Sequence, residues 1–141
     1  TTDAEVVAID PSAEKRQRAL ELGASEAAAP GEYDGRVRGV IDFVGGQSTI
    51  EESARLVDRK GIVVVAGLFG GQIPFGFGAV PHEARFMTTV WGSIEDLSEL
   101  IGLAQRDGIQ HTVETMPLLE AQAAHDRLRA GAVQGRIVLV P

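Results

Sequence analysis

Short apolar runs alternate with segments of helical spacing along most of this chain, and that alternation restricts it to a mostly parallel sheet built from right-handed crossovers. Val6-Val7-Ala8-Ile9 is a compact apolar run that stops at Asp10. Ser12 is placed to cap a helix over Ala13 to Leu22, which Gly23 closes. Ala27 to Ala29 reads as a short strand, and Val40-Ile41-Asp42-Phe43-Val44 as a longer one ended by Gly45-Gly46. Ser48 with Glu51 is a capping-box pattern opening a helix to about Val57. Gly61 to Leu68 holds the clearest strand, Ile62-Val63-Val64-Val65-Ala66, apolar on both faces as a strand covered by helices on each side must be. Phe86 to Trp91 reads as a further strand. Leu97, Leu100, Ile101 and Ala104 recur on one helical face, a second helix runs from Leu118 to Ala130 and is closed by Gly131, and Ile137-Val138-Leu139-Val140 forms the last strand. The stretch from Gly67 to Gly78 reads as a long loop with an aromatic lining from Phe69, Phe75 and Phe77.

Composition narrows the function classes. The chain's 141 residues suffice for one ordinary domain, and 44% hydrophobic with 23% charged residues is the balance of a globular chain. No apolar run approaches the roughly 20 residues that span a bilayer, and Thr1 to Glu5 carry no leader pattern. Net charge is −7, and no Lys/Arg cluster gathers on one stretch, so neither nucleic acid nor an anionic membrane is expected as a partner. Cysteine is absent, which removes disulfides, thiol nucleophiles and cysteine zinc sites and fits a cytoplasmic protein.

The candidate chemistry sits where strands end. In doubly wound folds an acid at the end of the second strand bonds the adenosine ribose hydroxyls. Asp10 has that position, and it would repel a 2′-phosphate by about 4 kcal/mol at ~4 Å and an effective dielectric near 20. Taken alone, Asp10-Pro11-Ser12 is more simply a turn that starts and caps a helix, and methyltransferases also place an acid here. Lys15 reaches back toward the same ribose, or is a solvated surface lysine. Gly45-Gly46 and Ala66-Gly67-Leu68 lie at strand C-terminal ends, where open α/β sheets bind ligands; glycine also simply makes such turns. Arg136 suits a bidentate pyrophosphate contact, or is an exposed arginine at a strand start. His82, His111 and His125 have no metal-ligand spacing, and the chain has no Gly-x-Ser-x-Gly elbow, P-loop or other catalytic constellation.

In order and spacing, these segments resemble the zinc-dependent alcohol dehydrogenases of the medium-chain dehydrogenase/reductase family. The stretches that carry the likeness are Val6 to Asp10, Lys15 to Ala24, Ile41 to Gly45, Ser48-Thr49-Ile50, Val63 to Leu68, Trp91-Gly92-Ser93, Leu128 to Gly131 and Gly135 to Pro141. The chain looks closest to bacterial secondary-alcohol dehydrogenases that use NAD.

The resemblance implies an α/β fold, an incomplete Rossmann-like parallel sheet with helices on both faces. Residues 1–92 would be a partial NAD-binding domain, and residues 93–141 the C-terminal helices and strand that return to the catalytic domain. It implies that Asp10 binds the ribose and selects NAD with help from Lys15. Phe43, Val44, Gly45, Ala66, Gly67 and Leu68 would line ribose and nicotinamide, and Arg136 would contact the pyrophosphate. Trp91 would border the nicotinamide and substrate pocket, with Gly92 and Ser93 against the carboxamide. Ile94 stands where the family commonly has an arginine.

The same resemblance puts the catalytic zinc ligands, the proton relay, the first strand and its Gly-x-Gly-x-x-Gly turn ahead of Thr1. The stretch from Pro30 to Gly39 is too short for the helical crossover of the family. A fragment, an internal loss or a degenerate gene are the three accounts of these departures. The implied activity is hydride transfer between NAD and a small secondary alcohol or its ketone in the parent enzyme, with this chain alone inactive. A homo-oligomer is implied too, through an unpaired sheet edge or through Phe86 to Trp91. A zinc-free quinone or enoyl reductase and a non-catalytic remnant acting only in assembly are the competing readings.

Overall fold

The computed structural model describes residues 4–109 and 111–141. The chain divides into two compact units, Thr1–Ser93 and Ile94–Pro141.

The first unit opens with a βαβ element. Strand β1 (Val7–Ile9) leads into helix α1 (Ala13–Glu21) and strand β2 (Glu26–Ala28), and the strands pair in parallel with Val7 opposite Glu26 and Ile9 opposite Ala28. Ser12 caps α1, its hydroxyl accepting the Lys15 amide at 3.4 Å. The helix ends as its sequence predicts. Gly23, at φ +103°, donates to the Leu20 carbonyl and Ala24 to the Ala19 carbonyl, the paired bonds of a Schellman cap that needs a left-handed residue.

The link from β2 to the next strand is a turn, not a helix. Glu32 donates its amide to the Ala29 carbonyl and accepts the Ala29 amide on its carboxylate, while the Gly31 amide bonds Glu52 at 2.7 Å. Eight residues, 29–36, therefore complete the connection.

The larger sheet has the order β3 (Val37–Asp42), β4 (Val57–Val65), β5 (Arg85–Thr88), all parallel, with helix α2 (Gln47–Leu56) between the first two strands. Val40, Val63 and Phe86 lie in one row, and Asp42, Val65 and Thr88 in another. Pairing starts at Val37 opposite Val57 and resumes at Gly39 opposite Ile62. The residues between are accommodated by Lys60 at φ +61° and by Gly61, where a Cβ would lie 2.9 Å from the Arg38 carbonyl oxygen. The strand is thus longer than its apolar stretch predicts. Ile50, Ser53 and Leu56 of α2 are buried together with Val57 and Val63. By strand alternation Ile41, Val64 and Met87 point to the opposite face, where Ile41 is 61% and Met87 50% exposed. Among the described residues no strand joins β1 to β3, so the parallel strands of this unit form two sheets.

The second unit holds helix α3 (Ile94–Asp107) and a second βαβ element. This comprises strand β6 (Val113–Pro117), a 3-10 turn at Leu118–Glu120, helix α4 (Ala121–Arg129) and strand β7 (Arg136–Val140). Strands β6 and β7 pair in parallel from Val113–Arg136 to Pro117–Val140. Strand β6 has no counterpart in the sequence reading, and the predicted single helix from Leu118 is split because its first turn is 3-10. Gly131, at φ +67°, closes α4 with a second Schellman cap, Gly131 to Leu128 and Ala132 to Arg127. No helix among the described residues is long and apolar enough to cross a membrane.

Candidate functional site

The turns after β3 and β4 are built around Asp42, the last residue of β3 and only 5% exposed. Its Oδ1 accepts the amides of Val44 (2.9 Å) and Gly45 (2.8 Å), and its Oδ2 accepts the Thr49 hydroxyl at 2.8 Å. Its main-chain carbonyl accepts two more amides, Ala66 at 2.8 Å and Gly67 at 3.1 Å. A buried carboxylate needs such partners, because unpaired it would be strongly unfavourable. The turns also bond each other, Phe69 to the Val44 carbonyl at 3.3 Å and Gly71 to the Gly45 carbonyl at 2.9 Å. A Cβ on Gly67 would overlap the Val44 carbonyl, and one on Gly45 the Gly67 carbonyl, so glycine is needed for the main chains to approach this closely.

This network corrects the predicted helix start. The N-cap of α2 is Gly46, not Ser48, and its amide is held by the Thr49 hydroxyl at 3.1 Å. The turn has only Val44 and Gly45 to spend on Asp42 before the helix must begin, which moves the start two residues forward. Asp42 itself escaped the sequence reading, where it passed as one residue of an apolar strand. The available signal was chemical: a carboxylate within such a strand has to be satisfied by something nearby, and Thr49 stands one helical turn past the glycines.

The predicted site residues fall into four places. Asp10 follows β1, its Oδ1 accepting the Ser12 amide at 2.8 Å and its amide bonding the Ala28 carbonyl. The turn-and-cap role therefore exists here whatever else Asp10 does. Arg16, not singled out from sequence, clamps this turn by donating to the carbonyls of Asp10 (2.7 Å) and Pro11 (3.0 Å). Lys15 is exposed on α1. Phe43, Val44 and Leu68 are exposed beside the interlocked turns, whereas Gly45 is buried and Ala66 and Gly67 are half-buried.

Strand β5 ends at Thr88, so Trp91 lies beyond it, in a left-handed conformation (φ +58°) with its side chain 89% exposed. That conformation is unfavourable for a bulky residue. Gly92 and Ser93 follow at the end of the first unit. Arg136 begins β7 in the second unit and is exposed; its pyrophosphate role is carried by the resemblance alone. The aromatic loop does not form the predicted lining, since Phe69, Phe75 and Phe77 are all strongly exposed, and the Phe77 ring lies 5.2 Å from that of His82.

A cleft of ≈ 720 Å³ opens on the α2 side of the larger sheet, with Gly45 and Gly67 at its rim and Ile50, Val63 and Phe86 among its walls. The described residues contain no group of three or more His, Asp or Glu side chains placed to hold a metal ion, and the chain has no cysteine. Among the described residues, then, no donor set is grouped to hold a catalytic zinc.

Residues 1–106 match the zinc-binding dehydrogenase family. The chain belongs to that family. Within it, the chain corresponds to the C-terminal portion of medium-chain alcohol dehydrogenases, which are oxidoreductases. It is 32% identical to an alcohol dehydrogenase of Geobacillus stearothermophilus and 31% identical to an NAD-dependent alcohol dehydrogenase of Sulfolobus acidocaldarius, in each case over 95% of this chain and 42% of the relative. The alcohol dehydrogenase of the archaeon Aeropyrum pernix superposes with a TM-score of 0.85 at 30% identity, over 99% of this chain and 44% of that one. The chain thus spans less than half the length of these dehydrogenases. The Geobacillus alignment is 145 residues long, more than the 95% of this chain that it covers, so the relative carries residues within it that this chain lacks. The α/β fold with parallel strands is that of the family's Rossmann-like coenzyme domain.

Proposed function

We propose that this chain is the coenzyme-binding segment of an NAD-dependent, zinc-containing alcohol dehydrogenase that moves hydride between the coenzyme and a secondary alcohol or its ketone. The observation that carries the reading is the pair of interlocked turns at the C-terminal ends of adjacent parallel strands, where open α/β sheets take their ligands. The donor chemistry suits the group. Asp10 uses Oδ1 within its own turn, and its carboxylate stands at a strand end for ribose hydroxyls. Phe43, Val44 and Leu68 supply apolar walls next to main chain free of bulky side chains. NAD supplies the hydride acceptor when bound; this chain's part is to hold and orient it and to disfavour a 2′-phosphate through Asp10.

Lys15 assists at the ribose, Gly92 and Ser93 face the carboxamide, and Trp91 borders the substrate in this reading. The zinc ligands belong to a part of the enzyme outside this chain, so this chain alone is inactive and binds NAD weakly. Absence of cysteine suits the cytoplasm. The outer edge of β5, unpaired among the described residues, suits self-association into a homo-oligomer.

Amide NMR titration tests the reading. NAD at millimolar concentration is expected to shift Val44, Gly45, Ala66 and Gly67 with little response to NADP. Asp10→Asn, which keeps an acceptor for Ser12 but removes the charge, is expected to reduce that preference by about tenfold. Shifts scattered over the surface, or equal for both coenzymes in the wild type, would refute coenzyme selection here. Micromolar NAD affinity would refute the weak-binding part, and a strictly monomeric mass in solution the oligomer.

A further inference from the structure

We propose that Asp42 is a positioning residue that makes the two coenzyme-facing turns move as one body. Its functional meaning rests on the coenzyme reading of these turns; its mechanics rest on bonds within the chain.

Five hydrogen bonds converge on this one buried residue, and they divide by where they come from. The carboxylate holds the turn after its own strand through Val44 and Gly45, and the first turn of α2 through Thr49. The carbonyl holds the turn after the neighbouring strand through Ala66 and Gly67. Three of the five end on the carboxylate and two on the carbonyl.

The side chain and the carbonyl of one residue share a Cα, so fixing the carboxylate in its turn also fixes the direction of the carbonyl. Without the carboxylate, the amides of Val44 and the buried Gly45 lose their acceptor and the end of β3 is free to rotate. The carbonyl then swings away from Ala66 and Gly67. Backbone contact between the turns transmits the same motion: Gly71 bonds the Gly45 carbonyl, and a Cβ at Gly71 would meet the main chain between Gly46 and Gln47 at 2.6–2.8 Å. The surface offered to a flat ring or ribose is therefore set by an acid that need not touch the ligand.

Residue-resolved amide exchange tests the coupling. Asp42→Ala is expected to speed exchange by about tenfold or more at Val44 and Gly45 and, through the carbonyl, at Ala66 and Gly67, whose own acceptor atom the substitution leaves in place. Asp42→Asn, which retains Oδ1 as acceptor, is expected to stay within about threefold of the wild type. Val57→Ala is the control for global destabilisation: it is expected to speed all protected amides alike, so the coupling is read as acceleration of Val44, Gly45, Ala66 and Gly67 in Asp42→Ala beyond that seen in Val57→Ala. Acceleration confined to Val44 and Gly45 would overturn the proposal, as would acceleration of both turns by Val57→Ala equal to that by Asp42→Ala.

Should Asp42→Ala fail to fold, Thr49→Val decides. It removes the third carboxylate bond together with the hydroxyl's two bonds to Gly46 at the start of α2, leaves the acceptors of Ala66 and Gly67 in place, and is expected to produce the same pattern in milder form; unchanged Ala66 and Gly67 would overturn the coupling. NAD titration of the same samples separates the two readings. Coupled turns with no NAD-dependent shift sink the coenzyme reading alone, and NAD-dependent shifts on uncoupled turns sink the positioning role alone.

Discussion

Gly67→Ala is expected to be among the most damaging single-methyl additions in this chain. The added Cβ would lie 2.5 Å from the Val44 Cα, against at least 3.4 Å for ordinary contact, and closer still to the Val44 carbonyl. The obstacle is main chain on both sides, so no rotamer change relieves it; one turn has to withdraw from the other by about an ångström. That movement strains the bonds Gly67 to Asp42 (3.1 Å) and Phe69 to Val44 (3.3 Å). Overpacking costs about 1–3 kcal/mol, and each lost bond about 1 kcal/mol more, so a loss of roughly 3–5 kcal/mol is expected.

Two neighbouring glycines isolate the cause. Gly70 has φ +74° with nothing within 4 Å of a Cβ, so Gly70→Ala carries only the left-handed penalty, about 1–2 kcal/mol. Gly76 has neither a positive φ nor a close neighbour, so Gly76→Ala is expected to be neutral or stabilising by up to about 1 kcal/mol. Urea denaturation followed by circular dichroism gives all three on one scale. If Gly67→Ala costs no more than Gly70→Ala, close approach of the two turns is not what requires glycine there, and the reasoning fails.

Val57→Ala is expected to destabilise by about 2–3 kcal/mol, because Val57 is fully buried where α2 passes directly into β4; the same urea titration reads it. Arg127→Ala removes the bond to Glu114 at 2.7 Å and a weaker one to the Ala132 carbonyl, but both ion-pair partners are about a third exposed. The expected loss is therefore only about 0.5–1 kcal/mol, with a double-mutant cycle against Glu114→Gln as the check. Arg129→Ala breaks a much more exposed pair with Asp126 and is expected to leave the melting temperature unchanged.

The legible features of this fold are those whose cause lies within a few residues. Gly23 and Gly131 end helices because the left-handed cap is a local demand, and both caps form with their full bond pairs. Ile62 to Val65 form a strand because no other element buries so continuous an apolar run. Strand β6 escaped notice for the converse reason. Val113-Glu114-Thr115-Met116-Pro117 has mixed polarity and a proline, and it becomes a strand only by pairing with β7 across an intervening helix. The aromatic loop departs from its sequence pattern: three phenylalanines in a glycine-rich stretch suggest a lining, yet all three stay strongly exposed.

The candidate site divides along the same line. Asp10 was legible as an acid after a strand, and the structure adds that the ribose reading and the turn reading are compatible, since the turn engages Oδ1. The glycines at 45 and 67 were legible as turn residues, but not the reason for them. Each excludes a side chain because the other turn lies against it, and no local pattern encodes that mutual contact. Asp42 joins the two cases. Its carboxylate serves bonds two, three and seven residues away, and its carbonyl reaches residues 66 and 67 only because β3 and β4 lie side by side in register. Asp42 joins turns on two adjacent parallel strands by being local on one side and long-range on the other. The long-range half becomes visible only once strand order is known.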